Sequence, residues 1–115
     1  MANAADRRSI EAAGRQEKGI RKGELNQIRA LMSLPIGREL AFRILTRCGA
    51  EGILPFSTNA MTLARDVGVQ GVGHWLLAEI REACPEKELE MRREAAYQAG
   101  RIDLAEEADN ARTDE

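Results

Sequence analysis

Large apolar residues in this chain recur at the spacing of a helix, and prolines and glycines cut the pattern into short runs. Leu25, Ile28, Leu31 and Met32 form one stripe. Pro35 ends it, because the residue before a proline avoids the α region. Ile36, Leu40, Ile44, Leu45 and Cys48 form the next stripe on one face, and Gly49 is placed to close that helix in a left-handed conformation. A third run covers about 60–83, with Met61, Ala64, Val67, Val72, Trp75, Leu76 and Ile80 as its expected inner residues. Pro85 opens a fourth helix at the tolerated first-turn position, and Glu86 and Glu88 suit the positive end of its dipole.

The residues able to fill a core favour the same architecture. Aromatic side chains are scarce, being only Phe42, Phe56, Trp75 and Tyr97, so Leu, Ile, Val, Met and Ala must do the packing. That set, with abundant Ala, Glu and Arg, suits helices better than sheets. The expectation is an all-α domain, a small bundle of three to four helices over 25–98, with terminal arms.

The arm 1–24 has few large apolar groups and reads as a frayed helix or flexible segment interrupted at Gly14, Gly19 and Gly23. The acidic tail 99–115 carries Ile102 and Leu104 without a clear stripe. Between the second and third helices, Ile53, Leu54 and Phe56 are expected to tuck under the bundle, with an exposed docking patch as the alternative, and Ser57, Thr58 or Asn59 can cap the helix that follows. Gly68, Gly71 and Gly73 crowd the third run at about 1 kcal/mol each relative to alanine, which implies a break near Gly68 or a close approach by a neighbour.

Charge is divided along the chain. Residues 1–50 hold ten Lys/Arg against five Asp/Glu, and residues 51–115 hold seven against fourteen. A basic front and an acidic back fit contacts between neighbouring molecules, and fit a dedicated nucleic-acid binder poorly. The first residues lack the apolar core of a signal peptide, and no run approaches the ~18 apolar residues of a membrane span. Synthesis in a cytoplasm is therefore expected, and no membrane partner. Cys48 and Cys84 form no CxxC, and with one histidine they cannot complete a zinc set, so both are expected as reduced core residues.

Residues 62–78 half-match a helix-turn-helix through Leu63, Ala64, Gly68 and Val69. The second half offers only Gln70 and His74 as polar groups and no Lys or Arg from 66 to 80, so it has no cation for phosphate. Specific nucleic-acid binding is not expected. Catalysis is not expected either. His74 stands alone in an apolar run, Glu79 and Glu82 are spaced as ordinary helix-surface residues, and "GVQGVG" lacks the spacing of a phosphate turn. No cofactor and no metal is expected.

The segments "LMSLPIGRELAFRILTRCG", "FSTNA", "GVQGVGHWLLAEI" and "CPEKELEMRREA", in that order, resemble a family of small tailed-bacteriophage proteins, a phage structural domain first noted in a short-tailed Bordetella phage. The matching positions are Gly37 and Arg38, Cys48 and Gly49, Val72 and Gly73, Trp75 to Leu77, and Met91 with Glu94, over roughly 31–95. Phe42 stands where the family often has Trp, and Phe56 comes late for its loop aromatic. Asp66, Val67 and Gln70 replace its basic stretch.

The resemblance implies a non-enzymatic virion protein near the portal vertex or head–tail connection. Its partners would be portal, adaptor or capsid proteins and other copies of itself. The alternatives are an internal protein ejected with the genome and, behind that, a DNA binder using 62–78. The candidate interface residues are Gly37, Arg38, Phe42, Phe56, Gly68, Gly73 and Trp75, with Arg7 and Arg8 on the arm.

Overall fold

A computed structural model describes residues 4–113. Among them the chain is entirely helical outside its turns and one loop, as expected: α1 (Ala4–Met32), α2 (Pro35–Cys48), α3 (Ala60–Ala83) and α4 (Pro85–Thr113). The helix limits follow local chemistry. Pro35 and Pro85 occupy first-turn positions, where the missing N–H costs nothing. Gly49 closes α2 at φ 67°, and its N–H and that of Ala50 reach the Thr46 and Leu45 carbonyls at 3.1 Å each. Asn59 caps α3, its Oδ1 accepting from the Met61 and Thr62 amides at 3.0 and 3.1 Å.

The interruptions expected in the arm are not there. α1 runs unbroken through Gly14, Gly19 and Gly23, α3 through Gly68 and Gly71, and α4 through Gly100. A Cβ on any of these six would meet nothing within 4 Å, so they cost helix propensity without marking a turn. Gly73 differs: a Cβ there would lie 2.7 Å from the Cys48 Cβ and 3.1 Å from that of Ala50. The close approach expected in this run exists, and it is at Gly73.

Met32, Ala41, Leu45, Ala50, Leu76, Leu77, Ile80, Ala83, Cys84 and Met91 form the core where the four helices meet, with Leu25, Ile28 and Phe42 against it. Both cysteines are free, and burial pushes the Cys84 thiol above its ordinary range. The inner faces of two helices differ from expectation. α2 buries Gly37, Arg38, Ala41 and Leu45, while Ile36, Leu40 and Ile44 are exposed. α3 buries Gln70, Gly73, Leu76, Leu77, Glu79 and Ile80, while Met61, Ala64, Val67, Val72 and Trp75 are exposed. The loop residues Ile53, Leu54 and Phe56 are not tucked under the bundle, being 79–95% exposed.

One geometric fact accounts for these differences. The molecule measures 86 × 41 × 15 Å, so it is long and flat, with a Cα depth of about two packed helices. Its radius of gyration is 21.6 Å, against about 13 Å for a compact domain of this length. So extended a shape leaves much of each helix, the arms above all, without a neighbour.

Candidate interaction surface

Charged and polar side chains within the layer are committed to holding it together. Arg38, in the first turn of α2, is 4% exposed. Its Nε donates to Glu94 Oε1 at 2.9 Å, its Nη1 to the Met32 carbonyl at 2.9 Å, and its Nη2 lies 2.8 Å from Glu94 and 3.3 Å from Glu90. One guanidinium therefore joins the last turn of α1, the start of α2 and the first third of α4. Those carboxylates raise its pKa further, so it is charged at every accessible pH.

Arg21 does the same between α1 and α3. Its Nη1 reaches both Glu79 oxygens at 2.8 and 2.9 Å, and its Nη2 reaches Glu82 at 2.5 Å. Glu79 is 7% exposed, a carboxylate that α1 covers and that Arg21 neutralises. Arg29 Nε, near the end of α1, donates to the Ala83 carbonyl at 2.8 Å.

Gln70 and His74, the two polar residues of the half-matched motif, face the protein's own backbone. Gln70 Nε2 donates to the Gly49 carbonyl at 2.9 Å, with Gly52 and Ile53 carbonyls at 3.4 Å. His74 Nε2 lies 2.9 Å from the Ala50 carbonyl, a contact that requires the Nε2–H tautomer. They seat the end of α2 and its loop on α3 beside Gly73. Residues 62–78 lie within one helix with no turn at Gly68, so they do not form a helix-turn-helix. Sequence reasoning missed the roles of Gln70 and Arg21. The signal available for Gln70 was a lone amide among apolar residues four positions before His74.

A fourth cluster joins α3, α4 and the loop: Arg81 Nε donates to Glu88 at 2.5 Å, Arg92 Nε donates to Glu88 at 3.1 Å, and Arg92 also pairs with Glu51. The bond from Arg81, then that from Arg92, holds the Glu88 carboxyl below its ordinary range. A depressed folded-state pKa stabilises above the unfolded value, about 4.3, and the gain disappears as pH falls through the folded value. Glu88→Gln is therefore expected to lower the melting midpoint by about 4 °C at pH 7. The gap from the parent should close as acid protonates Glu88. Melts at pH 7, 4 and 3 check this, and a gap unchanged at pH 3 would rule out charge pairing as its cause.

The outward side of the layer has a different chemistry. Of the candidate interface residues, Gly37 and Arg38 are buried between helices, and Phe42 lines an apolar groove between α2 and α4 with Met91, Ala95 and Ile102. Gly73 is buried against the end of α2. Phe56, Gly68 and Trp75 are exposed, so Trp75 does not fill a helix crossing within the monomer. Arg7 and Arg8 are exposed in the first turns of α1. The structure does not bring the nine residues into one site. It divides them into an inner set that closes the layer and an outer set that faces away from it.

Among the described residues no group of His, Cys, Asp and Glu side chains is arranged to hold a metal ion, and no helix is long and apolar enough to cross a membrane. Comparison with protein-family models, with curated proteins and with solved structures finds no match in any of the three.

Proposed function

We propose that this chain is a structural protein of a bacteriophage particle, acting by protein–protein contact near the portal vertex and performing no chemistry. The observation that carries the reading is the uncovered layer. The chain has the radius of gyration of a much larger domain, and Met61, Val72 and Trp75 on α3 and Ile36 on α2 stand in solvent. Isolated apolar residues on a surface are ordinary, but long helices with whole apolar faces uncovered mark a subunit shaped to be covered by others.

The helical arms suit the same role. Residues 4–20 of α1 and 96–113 of α4 are exposed along almost their full length, and they extend a binding surface beyond the small core. Repeated weak contacts from many copies in one particle add up to firm attachment. The resemblance to the tailed-phage family supplies the setting, and the pairing of polar groups within the layer is consistent with a scaffold.

The test is quantitative mass spectrometry of purified particles with and without residues 1–19. That cut spares Arg21 and its bonds to Glu79 and Glu82. The full chain is expected in the particle at a fixed copy number. The shortened chain is expected to remain folded, with particle content reduced at least about tenfold by the loss of one of several linked contacts. Absence of the full chain from particles would refute the assignment.

A further inference from the structure

The outer face of α3 has a composition that nothing in the monomer uses. At 100° per residue, Met61, Ala64, Val67, Gly68, Gly71, Val72, Trp75 and Ala78 fall in a strip about 140° wide. All eight are exposed, and between residues 61 and 78 the strip holds no charged residue; the same arc ends at Glu79 and Glu82, which Arg21 of α1 holds. The opposite side of the same helix carries Gly73, Leu76, Leu77 and Ile80 in the core. A helix apolar on both sides belongs in the interior of an assembly, and here one side has no cover.

We propose that a second copy of this chain covers it, α3 packing antiparallel on α3 about a two-fold axis between Val69 and Gln70. The arrangement of sizes along the strip argues for self-pairing. An axis at that point sets Met61 opposite Ala78, Ala64 opposite Trp75, Val67 opposite Val72 and Gly68 opposite Gly71. Each bulky side chain meets a small one, the two valines meet each other, and glycines meet at the crossing, where backbones approach most closely. Gly68 and Gly71 have open space where a Cβ would stand, so the monomer gains nothing from their being glycine. A close-packed helix crossing gives them a use.

The area is adequate. The strip is about 27 Å long on a helix about 12 Å across, so it presents on the order of 500 Å² per copy. Two copies bury on the order of 1,000 Å², the lower bound for a specific interface. This inference rests on the assembly reading and names one of its contacts.

Trp75 is the sole tryptophan, 57% exposed in the monomer, and reports directly on the pairing. In the full chain its emission should shift to the blue as concentration rises, in step with a monomer-to-dimer transition in sedimentation equilibrium. Gly68→Glu and Val72→Glu each place a charge at the crossing without touching the core. Both should raise the dimer dissociation constant about 100-fold or more while leaving the helical circular-dichroism spectrum intact. Leu104→Glu, on the exposed tail of α4, should dimerise like the parent.

A chain that stays monomeric at 100-fold dilution and at full concentration alike, or a dimer that survives both charged variants, overturns the proposal. A monomer that still enters particles, with Trp75 shielded there, would assign the face to a different virion protein and leave the assembly reading standing. A dimer abolished by both charged variants, from a chain absent from particles, would support the pairing and refute the assembly role.

Discussion

Replacing Arg38 by methionine is expected to lower the melting midpoint by about 10 °C, a far larger effect than removing either of its carboxylate partners. The asymmetry comes from where each group lies. Glu90 and Glu94 are 44% and 38% exposed at the side chain, so without the guanidinium they return to water at modest cost. The Met32 carbonyl has no such recourse. It belongs to a residue with no exposed surface, it stands among the last carbonyls of α1 that no helical N–H can reach, and Arg38 Nη1 is its partner at 2.9 Å. Leaving it unpaired costs about 1–3 kcal/mol.

Lysine is a poor replacement, because one ammonium cannot match a fork that bonds α1, α2 and α4 together. Arg38→Lys should therefore fall nearer to Arg38→Met than to the parent, and Glu94→Gln nearer to the parent. Thermal melts followed at 222 nm on the three variants check the order. A melt of Arg38→Met within about 2 °C of the parent would show that the contact with Met32 does not hold the layer together.

The limits of α2 and the starts of α3 and α4 were legible in the sequence because single residues dictate them. Pro35, Gly49, Asn59 and Pro85 each act through their own backbone or side-chain geometry, and each stands where the pattern puts it. The inward faces were not legible, for a physical reason. Periodicity reveals that a face is apolar but not which molecule covers it. On α2, Ile36, Leu40 and Ile44 make the more conspicuous stripe, yet the helix turns Gly37, Ala41 and Leu45 inward, with the buried Arg38 between them. Small residues there let α1 come close. On α3 both sides are apolar, so the pattern carries no direction. The same ambiguity made Trp75 look like a core residue.

The interior glycines misled in the other direction. Each costs helix propensity, but a helix breaks only where another arrangement satisfies its backbone, and neither arm offers one. What the sequence did carry about the candidate surface was its lack of charge. The stretch from Val67 to Ala78 has no Lys, Arg, Asp or Glu, which by itself argues against a phosphate-reading helix.

The other large effect lies one residue from Arg38. A Cβ at Gly37 would stand 1.9 Å from the Leu31 carbonyl oxygen and 2.8 Å from its carbon, with the Leu31 Cδ1 at 3.1 Å. The first two are backbone atoms of the last turn of α1, so no rotamer change relieves the clash. α2 would have to move away by more than an ångström, and that movement would separate Arg38 from Met32 and open the packing around Ala41 and Leu45. Gly37→Ala is thus expected to cost about 3 kcal/mol or more, despite alanine's better helix propensity.

Gly68→Ala makes the same chemical change in the same kind of backbone, with nothing within 4 Å of the new methyl. It should stabilise the monomer by about 0.5–1 kcal/mol. The two substitutions should therefore shift urea midpoints in opposite directions when unfolding is followed at a dilution that keeps the chain monomeric. If Gly37→Ala matched Gly68→Ala, the close seating of α2 on the end of α1 would be wrong, and with it the placement of Arg38 as the point where three helices meet.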